Sequence, residues 1–268
     1  MKTRGLILCL LIFGFFTVTC MGFNASSLAE VQREYLGWNY FSHILMIVLG
    51  VGMIVVGGGN CQSYGFVLKG WRYDLKIAVT CLIMVIGFIP FSSNQFIATI
   101  FNVAASLVAL GVVAMVKGGG GSAKLGLPSS KMFSLAPFLV VGVNALSGLG
   151  LIASTAVFQF FFVGFGEEIF FRGYMLGRLN EDFGKPWVFR GVSFGPGLLI
   201  SSALFGVLHL LNTFNPFLGS FSLSYFWALT AGFSGLVFGF VREKTGSILS
   251  ASIAHGLIDL GQILPLIV

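Results

Sequence analysis

The sequence predicts an all-α polytopic bundle of eight or nine membrane-spanning helices, and three observations carry that expectation. Of 268 residues, 56% are hydrophobic and only 9% charged, against roughly 25% charged in a soluble domain. The apolar residues gather in runs of about 18–22, long enough to cross about 30 Å of hydrocarbon as helices. Barrel strands are shorter and alternate in polarity, which these runs do not.

The runs fall at 5–22, 39–58, 75–92, 96–116, 133–152, 155–178, 192–212, 223–241 and 247–267. With a cytoplasmic N-terminus, every Lys and Arg except Arg33 and Arg172 lies in a loop on the cytoplasmic side, from Lys2 and Arg4 to Arg242 and Lys244. That asymmetry follows the positive-inside rule. It fits nine spans, N-terminus inside and C-terminus outside. The net charge of +6 is then a topology signal, with the bilayer as partner and no nucleic acid. The first run, preceded by Lys2 and Arg4, also has the form of a signal peptide with Ser27-Leu28-Ala29 as its cleavage site. The long gap between its apolar core and that site favours an uncleaved helix. Cys9, Cys20, Cys61 and Cys81 show no CxxC or ligand spacing and read as small apolar core residues.

KGGGGSAKLGLPSSK, 117–131, reads as a flexible cytoplasmic linker. It divides an N-terminal block, 1–116, from a C-terminal block, 132–268. The N-terminal block has almost nothing polar at depth. Its His43 reads as a helix-end histidine at the membrane interface. The C-terminal block holds the other intramembrane ionisable residues, Glu167, Glu168, Arg172, His209, His255 and Asp259. Charged groups at that depth cost at least about 2.5–3.5 kcal/mol each and normally find partners inside the bundle.

Spacing gives a local geometry. Glu168 and Arg172 are four apart and share a helix face, so they can pair. Glu167 is turned about 100° away and is left free. His255 and Asp259 are also four apart. Glu167, His209 and His255 each fall in the middle of a span, so they can meet at one depth. A carboxylate and two imidazoles in a water-excluded pocket suit hydrolysis: the carboxylate as general base on a water, one histidine holding that water, the other stabilising the oxyanion. The same trio of Glu167, His209 and His255 is also a possible zinc set, although the expectation is no cofactor.

EEIFFR (167–172), FGVLH (205–209) and HGLID (255–259) resemble, in order, the EExxxR, FxxxH and HxxxN motifs of the CAAX prenyl protease type II and bacteriocin-processing (CPBP, or Abi) family of intramembrane proteases. The resemblance covers roughly 150–262. It implies a membrane-embedded glutamate-dependent endopeptidase, located in a prokaryotic plasma membrane and acting on a membrane-associated or exported protein. It puts Glu167 at the catalytic base, His209 at the water, His255 and Asp259 at the oxyanion site, and Glu168 with Arg172 in a supporting pair. Asp259 departs from the pattern, because an ionised Asp cannot donate to an oxyanion as Asn does. It must be protonated to do so, or else orient His255 from one turn below.

Three other readings stay open. GFSGLVFG, 232–239, contains a GxSG that resembles the nucleophile motif of rhomboid proteases, so Ser234 and His255 could form a serine dyad. Gly235 and Gly239 make a GxxxG, the simpler sign of close helix packing. Intramembrane Glu, His and Asp also build proton relays in transporters. A bacteriocin self-immunity scaffold would keep the family and lack the activity.

Overall fold

The computed structural model describes residues 3–67, 70–84, 95–117 and 148–263. Among the described residues the main helices, in chain order, are α1 Arg4–Asn24, α2 Ser27–Leu36, α3 Phe41–Val56, α4 Trp71–Cys81, α5 Gln95–Met115, α6 spanning 148–183, α7 Pro196–Leu210, α8 Tyr225–Thr245 and α9 Ile248–Asp259. Two short antiparallel hairpins interrupt the helices: β1 Trp187–Phe189 with β2 Val192–Phe194, and β3 Phe214–Asn215 with β4 Ser220–Phe221.

The helices are dressed for lipid. In α1, Cys9, Phe13, Phe16 and Cys20 recur at helical spacing and are buried, while Ile7, Leu11, Phe15 and Val18 are exposed. Both faces are apolar, one against protein and one outward. In α5 the pattern is inverted relative to a soluble helix. Thr99, Asn102 and Ser106 face inward, and Phe96, Ile100, Leu107 and Val108 face out. This is the arrangement of an integral membrane protein.

Four described helices are long and apolar enough to cross a membrane: Arg4–Asn24, Gln95–Met115, Gly150–Phe183 and Pro196–Thr213. A fifth arises if α2 and α3, bent by 105°, count as one span. The expected eight or nine are not reached among the described residues, for three physical reasons. The runs 75–92 and 133–152 extend outside the described residues, as does linker residue 118 onward. α8 is long enough at 21 residues, but Gly, Ser, Thr, Tyr and Trp dilute its hydropathy. α9 has 12 residues, or about 18 Å at ~1.5 Å each, which is short of a bilayer.

Glycines bring the helices together. A Cβ on Gly164 of α6 would lie 2.7 Å from Gly256 Cα of α9. A Cβ on Gly206 of α7 would lie 2.9 Å from Ala228 O of α8, and one on Gly50 of α3 would lie 3.0 Å from Ile169 Cγ2 of α6. Small residues replace bulk where backbones must approach. α6 is therefore central, clasped by α3 and α9. α1 also packs on it, Phe13 on Phe171 and Phe16 on Phe170, with ring centroids 6.5 and 5.3 Å apart. Away from α6, buried Asp74 in the first turn of α4 accepts a hydrogen bond from Ser250 Oγ of α9.

The two ends of the bundle differ. At one end, Asp182 accepts from Gly5 N and pairs with Arg178. Arg242 donates to Ser63 O, Lys185 pairs with Glu243, and Lys244 donates to Ala114 O. At the other end the ties are uncharged: Asn215 Nδ2 to Met21 O, Trp38 Nε1 to Thr155 Oγ1, and Asn39 to Asn24.

Candidate active site

The two glutamates occupy a short α segment of α6, Gly164–Glu168, set between two π-helical stretches, Phe158–Val163 and Ile169–Met175. π turns widen the helix and recur at functional sites. Here they flank two consecutive carboxylates, which the roughly 100° step of an α segment turns apart.

Glu168 is fully buried and turned toward Arg172. The Arg172 Nη1 donates to its Oε1 at 3.0 Å, and both side chains are 0% exposed. The guanidinium also lies over the Phe205 ring, 4.3 Å from its centroid, with Phe171 and Phe238 beyond at 5.8 and 5.6 Å. Its Nε and Nη2 have no hydrogen-bond partner.

Glu167 points the other way, into a cavity of about 390 Å³. His255 spans the two carboxylates. Its Nδ1 is 3.0 Å from Glu168 Oε1, and its Nε2 is 3.7 Å from Glu167 Oε2 and 3.3 Å from Asp259 Oδ2. Its ring stacks on Phe238 at 4.6 Å. His209 lines the same cavity. Its Nδ1 lies 2.9 Å from Phe205 O. A carbonyl only accepts, so Nδ1 carries the proton and Nε2 is left bare as an acceptor. The structure thus brings Glu167, His209, His255 and Asp259 to one cavity and puts Glu168 and Arg172 behind it.

His43 is the addition. It lies in the first turn of α3, as expected of a helix-end histidine, and its Nε2 is 3.4 Å from Glu167 Oε1. Its Nδ1 lies 3.2 Å from Ser42 Oγ, and its ring sits edge-on to Phe158 at 4.9 Å. The approach depends on Gly166, where a Cβ would meet His43 O at 3.3 Å. Nothing in the local sequence FSHIL signals this, because the partner lies on a distant segment.

Ser234 also lines the cavity and is buried, but its Oγ has no hydrogen-bond partner. Both nitrogens of His255 face carboxylates instead. The flanking glycines serve packing: a Cβ on Gly235 would meet Arg172 Nη2 at 3.0 Å, and one on Gly239 would overlap Leu198 Cδ1. Ser234→Ala is expected to leave any peptide cleavage by the chain intact. Loss of cleavage in that variant alone would restore the serine dyad.

Among the described residues, no three or more His, Cys, Asp or Glu side chains are arranged to hold a metal ion. Glu167, His209 and His255 do not form such a set.

Residues 149–261 match the family model "Type II CAAX prenyl endopeptidase Rce1-like". The match includes every site residue named above except His43 and Ser42. No curated protein and no solved structure matches the chain.

Proposed function

We propose, from the match of residues 149–261 to the family model of Rce1-like type II CAAX prenyl endopeptidases, that the chain is an intramembrane endopeptidase that hydrolyses a peptide bond with a water activated by Glu167. The observation that carries this reading is the placement of Glu167. It is a carboxylate at the wall of a cavity, flanked by His43 and His255 and sharing that cavity with His209.

The chemistry follows from the geometry. Glu167 Oε1 faces His43, and its buried Oε2 has no hydrogen-bond partner. Oε2 is the oxygen free to take a proton. A water accepted by His209 Nε2 is deprotonated by Glu167 as its oxygen bonds to the scissile carbonyl carbon. The carbonyl oxygen gains charge and accepts from His255 Nε2–H. Glu168 holds Nδ1 of that ring, and Asp259, 3.3 Å from Nε2, steers it from one turn away. Collapse breaks the C–N bond, and Glu167 returns its proton to the leaving amine. Preorganised donors aimed at developing charge supply much of the rate in such sites. Apo distances such as 3.4 and 3.7 Å shorten when substrate closes the site. Zinc is not needed for these steps.

His43 serves as a positioning residue. Ser42 Oγ–H donates to its Nδ1, and its Nε2–H donates to Glu167 Oε1, so Oε2 is presented to the water. His43→Ala is expected to lower kcat by about 10- to 100-fold, the value of one hydrogen bond to a charged group. KM should move much less. His43→Gln, which keeps an N–H at similar reach, should recover part of the loss. An unchanged kcat in His43→Ala would remove the residue from the site.

The test of the whole reading is cleavage of tail-anchored and CAAX-like reporter peptides by purified protein in detergent. Cleavage that survives Glu167→Gln would sink it.

A further inference from the structure

The cavity has a side. The charged end of the bundle is tied together by the start of α1, the 61–66 loop, and the ends of α5, α6 and α8. Ile248 N, at the start of α9, joins it by donating to Gly65 O at 2.9 Å. None of these termini lines the cavity. Its walls come from the opposite end of the bundle: Met21 and Asn24 at the end of α1, Ser42 and His43 at the start of α3, and the segment around Asn212 and Asn215 after α7. Asn212 is exposed, so the cavity reaches the surface there. Its mouth carries amides and hydroxyls, and no Lys or Arg is among its lining residues.

We propose that the site opens to the extracytoplasmic face and takes extended polypeptide presented there, the outer juxtamembrane segment of an anchored or exported chain. This rests on the peptidase reading for its chemistry. The orientation comes from a separate principle, that basic ends stay in the cytoplasm. The neutral amides at the mouth match a peptide backbone, which offers paired donors and acceptors and no charge. A volume of about 390 Å³ is at the small end of the range of ~300–1,000 Å³ for ligand pockets. It suits a few residues beside the scissile bond. A tail presented in the cytoplasm would meet the charged end, away from Glu167.

The test begins without substrate. In the full chain carrying Cys61→Ser, whose other cysteines are buried, Asn212→Cys and Lys185→Cys are made separately. Both are treated with a membrane-impermeant maleimide, in intact cells and in inverted vesicles. Asn212→Cys should label in intact cells and Lys185→Cys only in inverted vesicles. The reverse pattern, or no labelling of Asn212→Cys from outside, overturns the proposal. In a second arm, the same reporter segment is placed on the inner or the outer side of a single anchor helix, and the outer reporter alone should be cut. Cutting of the inner one alone overturns the sidedness and leaves the peptidase reading standing. If neither is cut while labelling comes from outside, the fault lies with the peptidase reading and the sidedness holds.

Discussion

Glu167→Gln is expected to lower kcat by about 10²- to 10⁴-fold, the usual contribution of a positioned general base, with little change in thermal stability. The substitution keeps the shape of the side chain. Its amide oxygen can still accept from His43, so the contact with α3 survives. What is lost is an oxygen that can hold a proton between attack and departure of the amine. Glu167 lines a cavity, and its ionisable neighbours there are the imidazoles of His43 and His255 at 3.4 and 3.7 Å rather than a buried guanidinium, so folding depends on its charge far less than on that of Glu168. The adjacent residue gives the contrast. Glu168→Gln removes the charge that Arg172 faces at 3.0 Å inside the bundle, so its first effect should be a fall in melting temperature and yield. Cleavage and thermal unfolding measured side by side separate the two. If Glu168→Gln stops catalysis at wild-type stability while Glu167→Gln cleaves normally, the roles are exchanged and the mechanism above fails.

That contrast was half legible in the sequence. A four-residue interval puts Glu168 and Arg172 on one face of any helix, and the interval survives in a stretch that is partly π-helical. The π turns on either side of the glutamates were not legible, because the Phe-rich runs around them carry no pattern that distinguishes π from α. The contact of His43 with Glu167 was missed for a different reason. Periodicity and spacing speak for residues within a few turns of one another. The contact with Glu167 is made by the packing of α3 on Gly166, a tertiary event between blocks on either side of the Gly-rich linker. Among the described residues the expected span count is not reached where hydropathy is a poor ruler. α8 spends its length on small residues that let it approach α7, and α9 is shorter than the apolar run that contains it.

Arg172 carries the second large effect. Arg172→Met should destabilise the protein by about 3–5 kcal/mol, the range for removing one partner of a buried ion pair, and lower its yield in the membrane. The guanidinium is wholly buried, and Glu168 is the carboxylate it pairs with. Three aromatic rings from α6, α7 and α8 surround it. Met refills most of the volume and keeps the contact with those rings, so the loss reports the stranded carboxylate rather than a cavity. Arg172→Lys should fall between, because an ammonium can meet Glu168 but cannot lie flat on Phe205. The double variant Arg172→Met with Glu168→Gln removes both charges and should regain a good part of the stability, as replaced buried pairs often do. It should still cleave poorly, because Glu168 Oε1 also faces His255 Nδ1 at 3.0 Å and the ring would lose the group that holds it. Recovery of stability without recovery of cleavage therefore separates what the pair does for the fold from what it does for the site. A melting temperature for Arg172→Met equal to wild type would mean that the pair contributes nothing to folding. Glu168 would then have to be explained through His255 alone.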